Sequence, residues 1–201
     1  MGGRKTSGFT IIELLMTLTV ASVIMALAIP NFRDFMKNSR MSGASNDLLA
    51  SLQLARTEAI KRRHSVAVCP SANPGNNVPA CTASFNGNGW VVWDDADDDK
   101  AIDAGEAVLG RHDALDSSLT TFESTNVVAY QPSGFLGVNV TNFVLICDDR
   151  SNSLQGNSYF KRAVAISKTG RASVRRTTDE IAGLSSELVS QGLDPGDLDC
   201  P

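Results

Sequence analysis

The chain contains 201 residues, of which 42% are hydrophobic, and it carries a formal net charge of −4 at pH 7. This size and composition are sufficient for one anchor segment and one domain with its own hydrophobic core. The acidic balance argues against indiscriminate binding to nucleic acid, although it leaves room for a local basic patch.

The N-terminal region predicts a membrane-spanning helix with one unusual charge. Residues 9–29 include a single charged side chain, that of Glu13. A helix of this length rises about 1.5 Å per residue and spans roughly 30 Å, which is sufficient for the hydrocarbon core of a bilayer. Arg4 and Lys5 precede it, which predicts a cytoplasmic N-terminus and a translocated remainder.

Two simpler interpretations explain this segment less well. A secretory signal peptide has an apolar run of about 7 to 15 residues and then a small-residue cleavage site. This run is longer, and Pro30-Asn31-Phe32 follows it. A plain anchor does not account for Glu13, because a charge costs about 2.5–3.5 kcal/mol at the bilayer centre and less near the surface. Glu13 is therefore a candidate functional residue that needs a positively charged partner.

Residues 30–64 predict an amphipathic continuation of the same helix. The apolar stripe recurs at helical spacing and consists of Leu48, Leu52, Ala55 and Ala59, widened by Leu49 and Ile60. Glu58 and Arg62 are spaced for a favourable ion pair, and the basic residues 61–63 suit the negative end of a helix dipole. We expect one helix of about 50 residues that ends at His64 and packs its second half under a sheet.

From residue 65 onward the pattern changes to short β-prone runs. These runs are residues 65–69, 89–93, 127–130, 143–147, 162–166 and 172–176. Clusters of Gly, Asn, Pro and Asp separate them. A long N-terminal helix packed on mainly antiparallel strands is an α+β fold. Near the C-terminus, residues 185–192 are compatible with a short helix, and Asp194-Pro195-Gly196-Asp197 indicates a turn-rich tail.

Four cysteines lie in this head, namely Cys69, Cys81, Cys147 and Cys200. They show no C-x-x-C spacing and the chain has only two histidines, so a zinc site is not expected. An even number suits two disulfides if the head lies outside the cytoplasm. Of the three possible connectivities, we expect Cys69–Cys81, closing a loop rich in Pro, Asn and Ala, and Cys147–Cys200, tying the tail from residue 177 onward to the sheet. The alternative is four free buried thiols.

The segment at the start of the apolar run is similar to a known protein-processing motif. Gly8-Phe9-Thr10-Ile11-Ile12-Glu13-Leu14-Leu15 resembles the processing site of type IV pilins and type II secretion pseudopilins. The resemblance implies cleavage by a prepilin peptidase between Gly8 and Phe9, followed by N-methylation of Phe9. It also implies an assembly role for Glu13, which would pair with the N-terminal amine of a neighbouring subunit, and a helix-kinking role for Pro30.

Segments of the head narrow this resemblance to the GspH/FimT group of minor pilins and pseudopilins. They are residues 54–62, the strand 66–69, Gly89-Trp90-Val91-Val92-Trp93 with its acidic loop, Gln131-Pro132-Ser133-Gly134, and Thr169-Gly170-Arg171. The resemblance implies a pilin-like fold and a low-abundance subunit that initiates a filament or lies at its tip.

The resemblance also implies a domain organisation and a location. Residues 1–8 form a cleaved leader, 9–29 a transmembrane and filament-core helix, 30–64 its amphipathic continuation, and 65–201 a periplasmic β-rich head with a C-terminal tail. The chain is then a single-pass inner-membrane protein that is incorporated into a pilus or pseudopilus. Its implied partners are other pilin or pseudopilin subunits, the prepilin peptidase, the inner-membrane assembly platform and the membrane.

An acidic loop gives a candidate metal site. Residues 95–106 place acids at positions 1, 3, 5, 9 and 12, as calcium-binding EF-hand loops do. Calcium is therefore the candidate cofactor, and the candidate ligands are Asp95, Asp97, Asp99, Asp103 and Glu106. Two features oppose this: Lys100 occupies the sixth position, where EF-hand loops have glycine, and the flanking segments predict strands. The alternative is a solvated acidic hairpin loop.

A basic segment gives a candidate DNA site. Residues 150–178 contain seven cations and no acid. On an extended strand Arg171, Ser173 and Arg175 share one face, and such a row, with Lys168 and Arg176 nearby, can meet successive phosphates. Some members of the resembling group bind DNA through a late Gly-Arg-x-Arg element, from which this chain departs at Ser173. The alternatives are subunit docking and a charged edge strand that resists aggregation.

No arrangement of residues predicts an enzyme. His64 is expected at the end of the long helix and His112 in a polar loop, and neither has a nearby nucleophile in a recognisable pattern. The sequence thus predicts a minor pilin of a type IV pilus that initiates or caps assembly. The alternatives are a minor pseudopilin of a type II secretion system and a DNA-capturing pilin in natural transformation.

Overall fold

The computed structural model describes residues 8–138, 141–150, 154–155, 158–190 and 200. The chain divides into two compact units, Met1–Ser39 and Arg40–Pro201. Its elements in chain order are α1 (Ile11–Arg62), β1 (Ser65–Ser71), β2 (Gly89–Asp95), β3 (Val108–His112), β4 (Thr120–Glu123), β5 (Val128–Tyr130), β6 (Asn142–Cys147), β7 (Leu154–Gln155), β8 (Ser158–Ile166), β9 (Ala172–Thr177) and α2 (Thr178–Ser190). The predicted α+β fold is confirmed.

The second half of α1 packs into the head as the apolar stripe predicted. Leu48, Leu52, Ala55 and Ala59 are all buried, and the buried stripe extends back to Met41 and Ala44. The prediction that Ile60 widens the buried stripe is wrong, because this residue is 51% exposed. The helix has 52 residues, close to the predicted length.

The helix ends two residues earlier than His64. Its last residue is Arg62, and Arg63 adopts a left-handed φ of 63° while its N–H donates to the carbonyl of Ala59 at 3.0 Å. This is the usual way to stop a helix, although glycine is the commoner residue at that point. The predicted ion pair is confirmed, with Arg62 Nε 2.6 Å from a carboxylate oxygen of Glu58. Arg62, and then Lys61, hold the pKa of Glu58 below its ordinary value.

The strands form two sheets in which every described pairing is antiparallel. The first sheet has the order β3-β2-β1-β5, and the second has the order β4-β6-β8 with both β7 and β9 paired to β8. All six predicted strands are present. The prediction missed β3, β4 and β7, because these strands are short or carry Gly110 and charged residues in place of an alternating apolar pattern.

Strands β1 and β2 are buried on both faces. Val66, Val68, Trp90 and Val92 point into the central core, which they share with α1 and with the inward side chains of the second sheet. The residues between them point to the other face, where Ala67, Cys69, Val91 and Trp93 form a separate cluster. Two connecting loops cover that cluster through Cys81 and Ile102. The loops of this head therefore complete its hydrophobic core.

The outer face of the second sheet is covered by α2. Ile181, Leu184 and Leu188 of this helix pack against Phe143, Leu145, Ala163 and Ala165. The helix expected at 185–192 begins earlier than predicted, at Thr178, and residues 191–192 lie outside the described residues. The segment predicted as a tail from residue 177 thus begins as a helix. The turn predicted at 194–197 lies outside the described residues.

A capping box explains why α2 begins where it does. The backbone N–H of Glu180 donates to Thr177 Oγ1 at 3.2 Å, and the Glu180 carboxylate accepts from the backbone N–H groups of Thr177 and Arg176 at 3.0 Å. These backbone hydrogen bonds lower the pKa of Glu180. The Thr-x-x-Glu spacing was present in the sequence and would have located this helix start.

Two disulfides fix the head. Cys69 pairs with Cys81, and Cys147 pairs with Cys200, so the expected connectivity holds and the alternative of four free thiols is wrong. The first links two residues 12 positions apart at the outer cluster of the first sheet, and the second links two residues 53 positions apart. The second joins the end of β6 to a residue beyond α2, so it restrains the segment that contains the helix.

Three segments that carry the family resemblance meet at one junction. Arg56 of α1 donates to the carbonyl of Thr169 at 3.1 Å. Gly134 and Gly170 both have positive φ values, 75° and 77°, and a Cβ added to Gly170 would lie 2.0 Å from the carbonyl oxygen of Gly134. The two turns approach so closely that no side chain fits between them.

This junction predicts a stability defect for Gly170→Ala. The methyl group collides with backbone and the residue is held at a φ that L side chains rarely adopt, so we expect a loss of about 1–3 kcal/mol or more in the free energy of unfolding. Urea unfolding of the full chain in detergent measures it. The matched control is Gly183→Ala in α2, where a Cβ meets nothing within 4 Å and helix propensity favours alanine. Equal stability of the two variants would contradict the packing argument.

Candidate functional site

The apolar side chains of the N-terminal unit are exposed. From Phe9 to Phe35 every large hydrophobic residue whose side chain the structure describes is at least half exposed, including Phe9 at 69% and Ile11 at 80%. Soluble monomers rarely present so continuous an apolar surface, which marks a site of membrane or protein contact. By length and composition alone, α1 is also the one helix among the described residues that is able to cross a membrane.

Glu13 lies in this apolar surface near the start of α1. With Ile12, Met16, Val20 and Ile24 it lines a shallow groove along the helix. The nearest polar partner is Thr10: the Glu13 backbone N–H donates to Thr10 Oγ1 at 3.3 Å, and the Glu13 carboxylate lies 3.5 Å from the Thr10 backbone nitrogen. Within the described part of the chain no cationic side chain pairs with Glu13.

The Thr10–Glu13 contacts form a capping box, which sequence reasoning did not consider. Thr10 stands immediately before the first helical residue, and Glu13 is the third residue of the helix, so the two side chains serve backbone N–H groups that have no helical acceptor. The Thr-x-x-Glu spacing before an apolar run was the available signal. Glu13 therefore has a local structural role in addition to any role between subunits.

The other residues predicted for processing and assembly are Gly8, Phe9 and Pro30. Gly8 and Phe9 precede α1 and are exposed. Position 30 lies within α1, which continues past it, and Asn31 Nδ2 donates to the carbonyl of Leu27 at 3.0 Å. Because proline lacks an N–H, the carbonyl four residues before Pro30 loses its usual helical donor.

The predicted basic row is partly enclosed. Ser173 and Arg175 of β9 pair with Ala165 and Ala163, which face α2. A cavity of about 310 Å³ is lined by Arg171 and Arg175 and also by Glu180 and Glu187 of α2. The row predicted for DNA phosphates thus shares its cavity with two carboxylates.

The four DNA candidates do not form one uniform strip. Arg171 and Lys168 are exposed, and Arg175 is half buried with a Nε atom that has no hydrogen-bond partner among the described residues. Arg176 follows Arg175 on the strand and is exposed on the opposite face. The sequence could not reveal the opposing acids, because they lie on a later helix that folds back over the strand.

The acidic loop brings together three of its five candidate ligands. Oxygens from Asp95, Asp97 and Asp99 lie within 4.8 Å of one another. Asp103 and Glu106 are not in this group, and the two Glu106 oxygens accept the backbone N–H groups of Ala96 and Asp103 at 3.0 Å. The expectation of five converging acids is therefore wrong for this structure. Burial raises the pKa of Asp95, and the neighbouring acids add to the shift.

Neither histidine belongs to a catalytic arrangement within the described residues. His112 is the last residue of β3, which corrects its expected place in a polar loop, and its ring stacks on Trp90 with centroids 3.8 Å apart. Its Nε2 lies 3.2 Å from Asp47, so it joins the first sheet to α1. His64 Nδ1 lies 2.7 Å from Asp94, and no Ser, Thr or Cys side chain hydrogen-bonds either ring in that part of the chain.

Comparison with solved structures gives two crystal forms of the type IV minor pilin FimU from Pseudomonas aeruginosa strain PAO1. The first is 20% identical, with a TM-score of 0.49, over 70% of this chain and 92% of that chain. The second is 20% identical, with a TM-score of 0.46, over 67% of this chain and 91% of that chain. No curated protein sequence matches at a significant level.

Two family models match the sequence, and together they cover the apolar N-terminal segment and most of the head. The model for the prokaryotic N-terminal methylation motif matches residues 3–29, and the model for the type II transport protein GspH matches residues 44–170. The second match alone covers more than half of the chain. The chain therefore belongs to the GspH family, as a GspH/FimT-like pilin with an N-terminal methylation motif.

Proposed function

We propose that this chain is a minor pilin of a type IV pilus and that it initiates or caps pilus assembly. The observation that supports this proposal best is the exposed apolar surface of α1 with one carboxylate, Glu13, near its start. In the filament this surface packs against the same region of neighbouring subunits. Pilins and pseudopilins are structural subunits, and the proposed role is assembly rather than catalysis.

The proposal includes a processing step and a location. The prepilin peptidase removes residues 1–8 and methylates the new amine of Phe9. Residues 9–29 then span the inner membrane until the assembly platform moves the subunit into the filament. The head from residue 65 lies in the periplasm, where an oxidising environment sustains the disulfides Cys69–Cys81 and Cys147–Cys200.

Glu13 pairs with the N-terminal amine of a neighbouring subunit in this proposal. A carboxylate in an apolar bundle loses its hydration and requires a compensating positive group. Within the described residues of its own chain Glu13 has only the weak contacts to Thr10. The helix start is held by those contacts, and the pairing between subunits sets the axial register of α1.

A minor pseudopilin of a type II secretion system is the second candidate. It is favoured by the description of the family model that matches residues 44–170, which names a type II transport protein. The fold, the processing and the Glu13 pairing are the same in both roles, so only the filament and its cargo differ. DNA capture ranks third, because Arg171 and Arg175 share their cavity with Glu180 and Glu187.

The processing step predicts the N-terminus of the mature chain. Mass spectrometry of the protein from its native membrane is expected to show an N-methylated Phe9 as the first residue. The same protein from cells without a prepilin peptidase should retain residues 1–8. A mature chain that starts at any other residue would contradict the assembly mechanism.

Charge and helix capping at the start of α1 are separable by a matched pair of variants. Glu13→Gln keeps a capping acceptor but removes the charge, so we expect membrane insertion to be normal and recovery in sheared filaments to fall by about tenfold or more, since an unpaired buried charge costs several kcal/mol. Thr10→Ala removes a cap worth about 0.5–2 kcal/mol but keeps the charge, and filament recovery should change little. The reverse ranking would mean that Glu13 acts only as a cap.

One deletion strain distinguishes the three candidate roles. Loss of the gene is expected to abolish surface pili and twitching while type II secretion continues, and expression of the intact chain should restore both. Loss of secretion with normal pili would support the pseudopilin role instead. Loss of transformation alone, with pili and secretion intact, would support DNA capture.

A further inference from the structure

The loop between β2 and β3 contains a group of carboxylates that the proposed assembly role does not use. Its first acid, Asp95, is the last residue of β2, and Asp97 and Asp99 follow on the exposed part of the loop. One oxygen from each of the three lies within 4.8 Å of the others. Like charges at this distance repel one another unless a cation neutralises them.

Asp95 is the informative member of this group. Its side chain is fully buried, at 0% exposure. One carboxylate oxygen accepts the backbone N–H of Lys100 at a long 3.3 Å, and the other, Oδ2, has no hydrogen-bond partner among the described residues. A buried carboxylate oxygen without a partner is costly and rare in proteins. No ion pair in the described part of the chain involves Asp95, Asp97 or Asp99.

The loop is held in place around these acids by other residues. Glu106 accepts two backbone N–H groups from the loop, and Trp93 Nε1 donates to the carbonyl of Ala101 at 3.1 Å. Ile102 packs on the outer cluster of the first sheet. The three aspartates are therefore presented by a loop that is anchored on both sides.

In the sequence pattern Lys100 counts against a calcium site, but its backbone conformation in the structure does not. It adopts a φ of 65°, the left-handed conformation for which EF-hand loops use glycine at the sixth position. Lys100 also borders a separate cavity with residues 124–127. The loop therefore shares this one backbone feature of a calcium-binding loop, with lysine in place of glycine.

We propose that Asp95, Asp97 and Asp99 bind one calcium ion, which neutralises the buried carboxylate and fixes the loop over the first sheet. Calcium takes six to eight oxygen ligands at about 2.3–2.6 Å, so two of its ligands are up to about 5 Å apart, and the observed oxygens fit within that span. Magnesium is usually held by only one or two carboxylates and keeps several waters. Zinc prefers nitrogen and sulfur ligands, which this group lacks.

Isothermal calorimetry with calcium chloride on the full mature chain in detergent tests the site. We expect a dissociation constant of about 10⁻⁴–10⁻³ M, the range of extracellular calcium modules. The double variant Asp97→Asn with Asp99→Asn alters two exposed side chains and should weaken binding by about tenfold or more. The control Asp113→Asn changes the net charge by one at an exposed position outside the loop and should bind as the wild type does.

Thermal unfolding with and without calcium provides the second readout. Millimolar calcium should raise the melting temperature of the wild type and of Asp113→Asn, but not that of the double variant or of Asp95→Asn; magnesium at matched ionic strength should have little effect. If Asp95→Asn fails to fold, the exposed pair still decides the question. No heat from the wild type, equal weakening by Asp113→Asn, or an equal response to magnesium would each overturn the proposal.

Discussion

The head depends on the burial of one face of α1. Met41, Leu48, Leu52 and the alanines between and after them meet the inward side chains of both sheets in a single core. Alanine at positions 44, 55 and 59 lets strand side chains approach the helix backbone, and large aromatics such as Trp90 and Tyr130 fill the remaining space. The second sheet then repeats this arrangement on its outer face with α2.

The exposure of apolar residues on α1 changes along its length. In the N-terminal unit its apolar residues are exposed, whereas from Met41 onward one stripe is buried. An apolar surface without a partner is unfavourable in water, so the first part of α1 requires a bilayer or other subunits. In the proposed function, assembly transfers this surface from one apolar environment to another. That transfer is favourable only if the charge of Glu13 is paired with the N-terminal amine of a neighbouring subunit.

Polar groups in the head act mainly by joining elements. The Asp47–His112 contact and the Arg56–Thr169 hydrogen bond connect α1 to a strand and a turn. The stack of His112 on Trp90 connects β3 to β2. Asp95 does not do so: its carboxylate is fully buried, and its Oδ2, like Glu123 Oε2, has no hydrogen-bond partner among the described residues. A buried oxygen without a partner requires an explanation, such as a bound ion. The convergence of Asp97 and Asp99 on Asp95 favours that explanation here and distinguishes the acidic loop from an ordinary charged hairpin.

The sequence by itself determined the apolar N-terminal part of α1, the stripe that follows it, six strands and the α+β class, because these follow from local periodicity and composition. It also contained the capping boxes at Thr10 and Thr177. Only the tertiary structure decided that Gly134 and Gly170 touch, that Glu180 and Glu187 line the cavity of the basic row, and that three of five loop acids converge. The first two facts depend on contacts between separate elements, which no local pattern encodes. The third depends on the fold of the loop itself, in which Glu106 accepts backbone N–H groups and does not join the three aspartates.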